Sequence, residues 1–155
     1  MKNTRKGFTL VELLIVIVVI GILSAMMMLS STEAVTSARA TAVVSNLRNL
    51  KTAALAHYTD SMDYYSENPT KVPTLAKVLP YLNGGTSLPD QNQYAIENVG
   101  NSWFLKYVVS GTNDEKDKIK NKLKGRASST GLLKSKAVTS EPYDGSTENV
   151  YVYVR

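Results

Sequence analysis

Lys6-Gly7-Phe8-Thr9-Leu10-Val11-Glu12 runs directly into the apolar segment Leu13 to Leu29. A basic start and a glycine-aromatic junction are followed by one carboxylate in a segment otherwise suited to lipid. From Phe8 to Leu29 there are 22 residues, and Glu12 is the only ionisable one. As a helix they span about 33 Å at ~1.5 Å per residue, enough to cross a hydrocarbon core of roughly 30 Å. A charge within such a span costs about 2.5–3.5 kcal/mol on insertion scales, so an intramembrane glutamate is by default a functional residue.

Met1 to Lys6 is short, polar and basic, like the first region of a secretory signal. An ordinary cleaved signal would continue with a shorter apolar run and a small-x-small cleavage site. Here Ser24-Ala25 is followed by Met26-Met27-Met28-Leu29 instead of a polar start. A signal anchor fits better, its basic end held in the cytoplasm by the positive-inside rule. A plain anchor tolerates a glutamate snorkelling from near the interface, but it gives no reason for one.

Lys6-Gly7-Phe8-Thr9-Leu10-Val11-Glu12-Leu13 resembles the class III signal of type IV pilins and type II secretion pseudopilins. The resemblance implies cleavage after Gly7 by a prepilin peptidase and N-methylation of the new N-terminal Phe8. It makes Glu12 the fifth residue of the mature chain, the family's assembly glutamate, and it places Gly21 where many relatives have glycine. The implied fold is α+β: a long N-terminal helix, half membrane-spanning and half amphipathic, packed on a small antiparallel sheet. The implied organisation is a leader over 1–7, a transmembrane or filament-core half-helix over 8–29, and an exported domain over 30–155. The implied function is that of a structural subunit, with neither enzymatic activity nor cofactor. Its partners are the peptidase, sister subunits, the inner membrane and the assembly platform. The chain would cross the bacterial inner membrane once, N-terminus cytoplasmic and C-terminal domain exported, before joining a periplasmic or extracellular filament. Leu29 departs from the pattern, since many type IVa pilins have a helix-loosening proline there.

The physical chemistry agrees with that role. A freed α-amino group on Phe8 is a cation with an unperturbed pKa of about 7.7–8.0, and Glu12 supplies the opposite charge within the chain or on a neighbour. Removing one partner of such a buried pair costs ~3–5 kcal/mol, so Glu12 would set the register of assembly.

At 155 residues the chain has room for one domain beside the anchor. Its net charge of +5 falls to +2 once Lys2, Arg5 and Lys6 leave with the leader. The absence of cysteine excludes disulfides and thiolate metal sites, and one histidine, His57, is too few for a His-rich centre.

From Ser30 to about Tyr58 there is no Pro or Gly, and Val35, Ala38, Ala42 or Val43, Leu47, Leu50, Ala54 and Tyr58 recur at steps of three and four. Together with the apolar run this predicts a helix of about 50 residues, with His57 a polar residue near its end. Thr59 to Glu67 reads as a polar loop in which Tyr64 and Tyr65 either cap the helix or form an adhesive surface with Tyr81. Asn68-Pro69, Pro73, Pro80, Gly84-Gly85 and Pro89 punctuate the chain, with a short helix over Thr74 to Leu79. Strands are expected over Gln93 to Asn98, Ser102 to Ser110 and Glu148 to Arg155, giving three antiparallel strands. Trp103, Leu105, Tyr107 and Val109 share one face of the second strand.

Thr112-Asn113-Asp114-Glu115 opens a lysine-rich helix with a capping-box pattern. Only Ile119 and Leu123 give it an apolar stripe, so it is expected to lie loosely on the surface. Two readings stand beside each other for its lysines: a solvated face, or a contact with DNA of the kind a competence pseudopilin makes. The turn Glu141 to Glu148 offers Asp144 and Glu148 as weak candidates for calcium, without an EF-hand pattern. Outside the filament class, the alternative is an uncleaved, single-pass membrane protein with an exported binding domain.

Overall fold

The computed structural model describes residues 7–82, 88 and 90–155, with the side chains of residues 28–30 left aside. Lys2, Arg5 and Lys6, the Gly84-Gly85 pair and Pro89 lie outside the described residues. The chain forms two units that divide between Val35 and Thr36. Helix α1 spans Leu10–Asp60, 51 residues, as the sequence predicts. In the first unit every described residue from Leu10 to Met27 is exposed.

In the second unit α1 buries a row that steps alternately by four and three: Thr36, Ala40, Val43, Leu47, Leu50, Ala54 and His57. Such a row is one face of a 3.6-residue helix. Val35 and Ala38, expected on this face, are exposed instead, and of the pair Ala42 or Val43 it is Val43 that is buried. The row coincides with the expected one from Val43 to Ala54 and departs from it toward its two ends, whose last residues are polar: Thr36 and His57, each only 8% exposed. A pattern built from apolar residues passes over both.

After α1 come α2 (Met62–Glu67), α3 (Leu75–Val78) and a 3-10 turn over Leu79–Tyr81. A second 3-10 turn, Gln91–Gln93, leads into strand β1 (Tyr94–Val99). Strand β2 (Ser102–Val108) returns antiparallel, pairing Tyr94 with Tyr107 and Val99 with Ser102. Gly100 takes φ 59° at the first central position of the two-residue turn, where a type II′ hairpin calls for glycine. The chain then leaves the sheet through α4 (Asn113–Lys124) and α5 (Ala127–Thr130). It comes back as β3 (Leu132–Leu133) and ends with β4 (Asn149–Tyr153).

The sheet therefore has four strands rather than three, in the order β1-β2-β4-β3, all antiparallel. Strand β3 escaped the sequence pattern because two residues cannot show an alternation. Likewise α2 occupies what reads as a polar loop. Its one buried residue, Tyr65, carries too little apolar signal for a helix.

One face of the sheet packs on the buried row of α1 in a single core. Trp103, Leu105 and Tyr107 of β2 meet Val150 and Val152 of β4, Leu132 of β3, and Leu47 and Leu50 of α1. The outer face is not bare. Phe104 is 1% exposed and lies edge-on to Tyr153, while Glu97 binds both Lys106 and Lys136 and so ties the segment after β3 to this face.

Helix α4 corrects the expectation of a loosely held surface helix, since Ile119 and Leu123 are both almost fully buried. Its capping box is formed: Thr112 Oγ1 accepts from the Glu115 N–H and Glu115 accepts from the Thr112 N–H. Thr112→Ala is expected to lower the stability of this unit by about 1 kcal/mol, measured as a lowered urea midpoint at unchanged m-value.

At the far end of α1, where a polar residue is expected, His57 is buried. Its Nε2 lies 3.1 Å from the Tyr65 hydroxyl, and the Tyr65 and Tyr81 rings meet it edge-on. Burial, then the Lys77 charge, lowers its pKa below the ordinary 6.5. The unfolded chain therefore binds a proton more readily than the folded one. Stability is full above about pH 6.5 and falls as pH drops from there toward the lower folded value. A shallower acid slope in His57→Gln, followed by urea titration across this window, would check it.

Candidate functional site: the N-terminal segment

Helix α1 begins just after the Gly7-Phe8 junction. Gly7, Phe8 and Thr9 are non-helical, Gly7 has no atom within 4 Å of where a Cβ would sit, and Phe8 is 85% exposed. The peptide bond that the resemblance marks for cleavage is thus outside the helix and open on its surroundings. A helical peptide bond, by contrast, is committed to the i→i−4 ladder.

Thr9 is the residue before the first helical turn, and Glu12 is the third residue of the helix. Glu12 Oε2 accepts from the Thr9 N–H at 2.9 Å and from Thr9 Oγ1 at 2.8 Å, and the Glu12 N–H donates to Thr9 Oγ1 at 3.2 Å. This is a capping box, Thr-x-x-Glu, the same device that opens α4. The spacing Thr9-Leu10-Val11-Glu12 encodes this device, which a reading of Glu12 only as the partner of a freed amine does not include. The capping box changes that account: Glu12 already has a local partner before any amine is made. Both bonds fall on one oxygen, and among the described residues Oε1 accepts none.

Beyond the cap, Leu10, Val11, Leu13, Leu14, Ile15, Ile17 and their neighbours up to Met27 leave about half or more of their side-chain surface uncovered. An apolar surface of that length is not stable in water and requires lipid or other helices. Gly21 lies in this stretch with no atom near its missing Cβ. The residue there therefore leaves room for a neighbour without being demanded by the chain's own packing.

Residues 2–28 match the model of the prokaryotic N-terminal methylation motif. The chain carries that motif. The resemblance to type IV pilins and pseudopilins is thereby borne out over the residues that suggested it. Motif and capping box coincide, since Thr9 and Glu12 both lie inside the matched stretch. Among solved structures, the major type IV pilin PilA1 from Clostridium difficile is similar, with a TM-score of 0.43 and 20% identity. That match covers 79% of this chain and 98% of that one. No curated protein matches the chain.

The weaker candidate sites are arranged differently from what their residue types suggest. Asp144 Oδ2 accepts from Lys134 Nζ at 2.7 Å and Oδ1 from the Ser146 N–H at 2.9 Å. These contacts, Lys134 first, hold the Asp144 carboxyl well below the usual carboxylate range. Glu148 Oε1 accepts from Lys116 Nζ at 2.7 Å, which lowers its pKa too. The two carboxylates are thus turned to separate lysines, and no group of three or more potential ligands converges among the described residues. Many of the lysines considered for DNA are themselves paired: Lys116 with Glu148, Lys118 with Asp114, Lys120 with Asp117, Lys134 with Asp144 and Lys136 with Glu97.

Proposed function

We propose that this protein is a structural subunit of a type IV filament, cut by a prepilin peptidase between Gly7 and Phe8 and N-methylated on Phe8. The observation that carries this is the coincidence, within residues 2–28, of the methylation motif with an exposed, capped apolar helix. Residues 8–29 anchor the precursor in the inner membrane, with the basic leader cytoplasmic and residues 30–155 exported. The same apolar surface then packs against sister subunits once the assembly platform draws the chain into a filament. No chemistry is performed by the subunit.

Glu12 acts in this scheme as the register group. Cleavage creates an ammonium on Phe8, beside the positive end of α1. A cation is disfavoured at a helix N-terminus, so the new charge needs an acceptor. Thr9 orients the Glu12 carboxylate, and the open Oε1 receives the amine of the same chain or of a neighbour. Thr9 keeps its N–H after the cut, so cap and amine contact are compatible.

Mass spectrometry after co-expression with a prepilin peptidase tests the reading. A mature chain beginning at methylated Phe8 is expected. A chain that keeps Met1 to Gly7, or that begins elsewhere, would overturn it in favour of an uncleaved anchor. Pilus, type II secretion and competence subunits share these features, and the neighbouring genes distinguish them.

A further inference from the structure

Helix α4 lies across α1 where the second unit begins. Glu115, at its start, accepts from Arg39 at 3.4 Å. Arg126, just past its end, donates to Thr41 Oγ1 at 2.6 Å and reaches Ser37 Oγ. Burial along α1 starts at Thr36, whereas residues 31–35 are exposed. Ser37 is eight residues beyond Leu29. At no more than about 3.5 Å per residue, the chain tethers this end of the unit within roughly 28 Å of the end of the apolar run.

The two flanks of α4 differ. Lys116 binds Glu148, and Lys120 and the Lys124 stem pass close to Gly145, so this flank faces the loop entering β4. The opposite flank carries Lys118 and Lys122, with Arg126 one turn beyond the latter. Lys122 and Lys124 have no acidic partner among the described residues, and Arg126 meets only hydroxyl groups. Lys122 and Arg126, neither with an acidic partner among the described residues, therefore stand together on one flank at the end of α4, at the edge of the unit tethered to the apolar segment, while Lys124 lies on the other flank. They also suit the negative end of the helix dipole.

We propose that this cationic end of α4 rests on an anionic phospholipid surface while the chain is anchored, and so holds the exported unit against the membrane until extraction. The proposal rests on the anchored reading above. Each Lys or Arg close to such a surface strengthens adsorption about fivefold at moderate salt, and the contact weakens as salt shortens the Debye length. Nucleic acid is less favoured, because no aromatic side chain stands among these cations to stack a base.

The test uses the full chain with a spin label at Asn121→Cys, an exposed neutral neighbour of Lys122, reconstituted in phosphatidylcholine vesicles with or without about one-third phosphatidylglycerol. In the anionic vesicles the label's accessibility to a water-soluble relaxation agent is expected to fall severalfold and to recover in high salt. A label at Tyr64→Cys, beside the far end of α1, should not change. Adding Lys122→Glu and Arg126→Gln should abolish the protection. Equal accessibility in both vesicles, with the protein still floating with lipid, would overturn the proposal alone. Failure to float would overturn the anchored reading with it. Lipid-independent labels together with salt-sensitive binding of duplex DNA, lost in the doubly substituted variant, would assign the surface to nucleic acid instead.

Discussion

Glu12→Ala is expected to be cut at Gly7-Phe8 and inserted in the membrane like the parent chain, yet to be nearly absent from filaments. On the proposed register role, the loss comes from stranding the Phe8 ammonium in a low-dielectric helix bundle, and breaking one side of a buried pair costs ~3–5 kcal/mol. Repeated at every subunit interface, that penalty stops polymerisation. Thr9→Ala separates the two duties of the glutamate. It removes Oγ1 from the capping box but leaves the carboxylate, and a lost cap costs only about 1 kcal/mol. Filament yield should therefore fall modestly with Thr9→Ala and almost completely with Glu12→Ala. Immunoblots of sheared filament and membrane fractions, with the mature N-terminus read by mass spectrometry, measure both. Parent-level filaments from Glu12→Ala would remove the register role.

Trp103→Ala should have the largest effect on the second unit. Trp103 is fully buried, edge-on to Tyr58 and Tyr65, and covered by the Arg155 guanidinium, which also lies 4.0 Å from the Tyr58 ring centre. Its backbone is fixed as well, because its N–H donates to the Arg155 carbonyl and its carbonyl accepts from Val154. Replacing a buried Trp by Ala costs ~3–5 kcal/mol, which in a unit of this size lowers the melting midpoint by roughly 10–20 °C. All nine tyrosines lie in the second unit, so their near-ultraviolet circular dichroism follows its melting even after the one tryptophan is gone. A midpoint within about 2 °C of the parent would show that the aromatic cluster does not hold the end of α1 to the sheet.

Much of the fold was legible because long, uniform signals are hard to misread. The apolar run and the three-and-four spacing that follows it, with no proline from Thr9 to Asp60, marked one long helix. The alternation through Trp103, Leu105 and Tyr107 marked the inner face of β2. Other parts depended on residues whose surroundings lie far off in sequence. His57 is buried because Tyr65 and Tyr81 fold over it, and α4 is docked because Ile119 and Leu123 enter the core while Arg39, Thr41 and Ser37 meet residues at its two ends. The lysine-bound turn was illegible for the same reason: Asp144 and Glu148 find Lys134 and Lys116, 10 and 32 residues away.

By itself, the sequence determined the N-terminal segment. A Gly-Phe junction, an apolar run and a Thr-x-x-Glu cap act through neighbours one to four residues apart, so their order in the chain is their geometry. Only the tertiary structure decided which polar residues are interior, where the fourth strand lies and which lysines keep their charge free. Those outcomes depend on contacts between elements that local spacing does not encode.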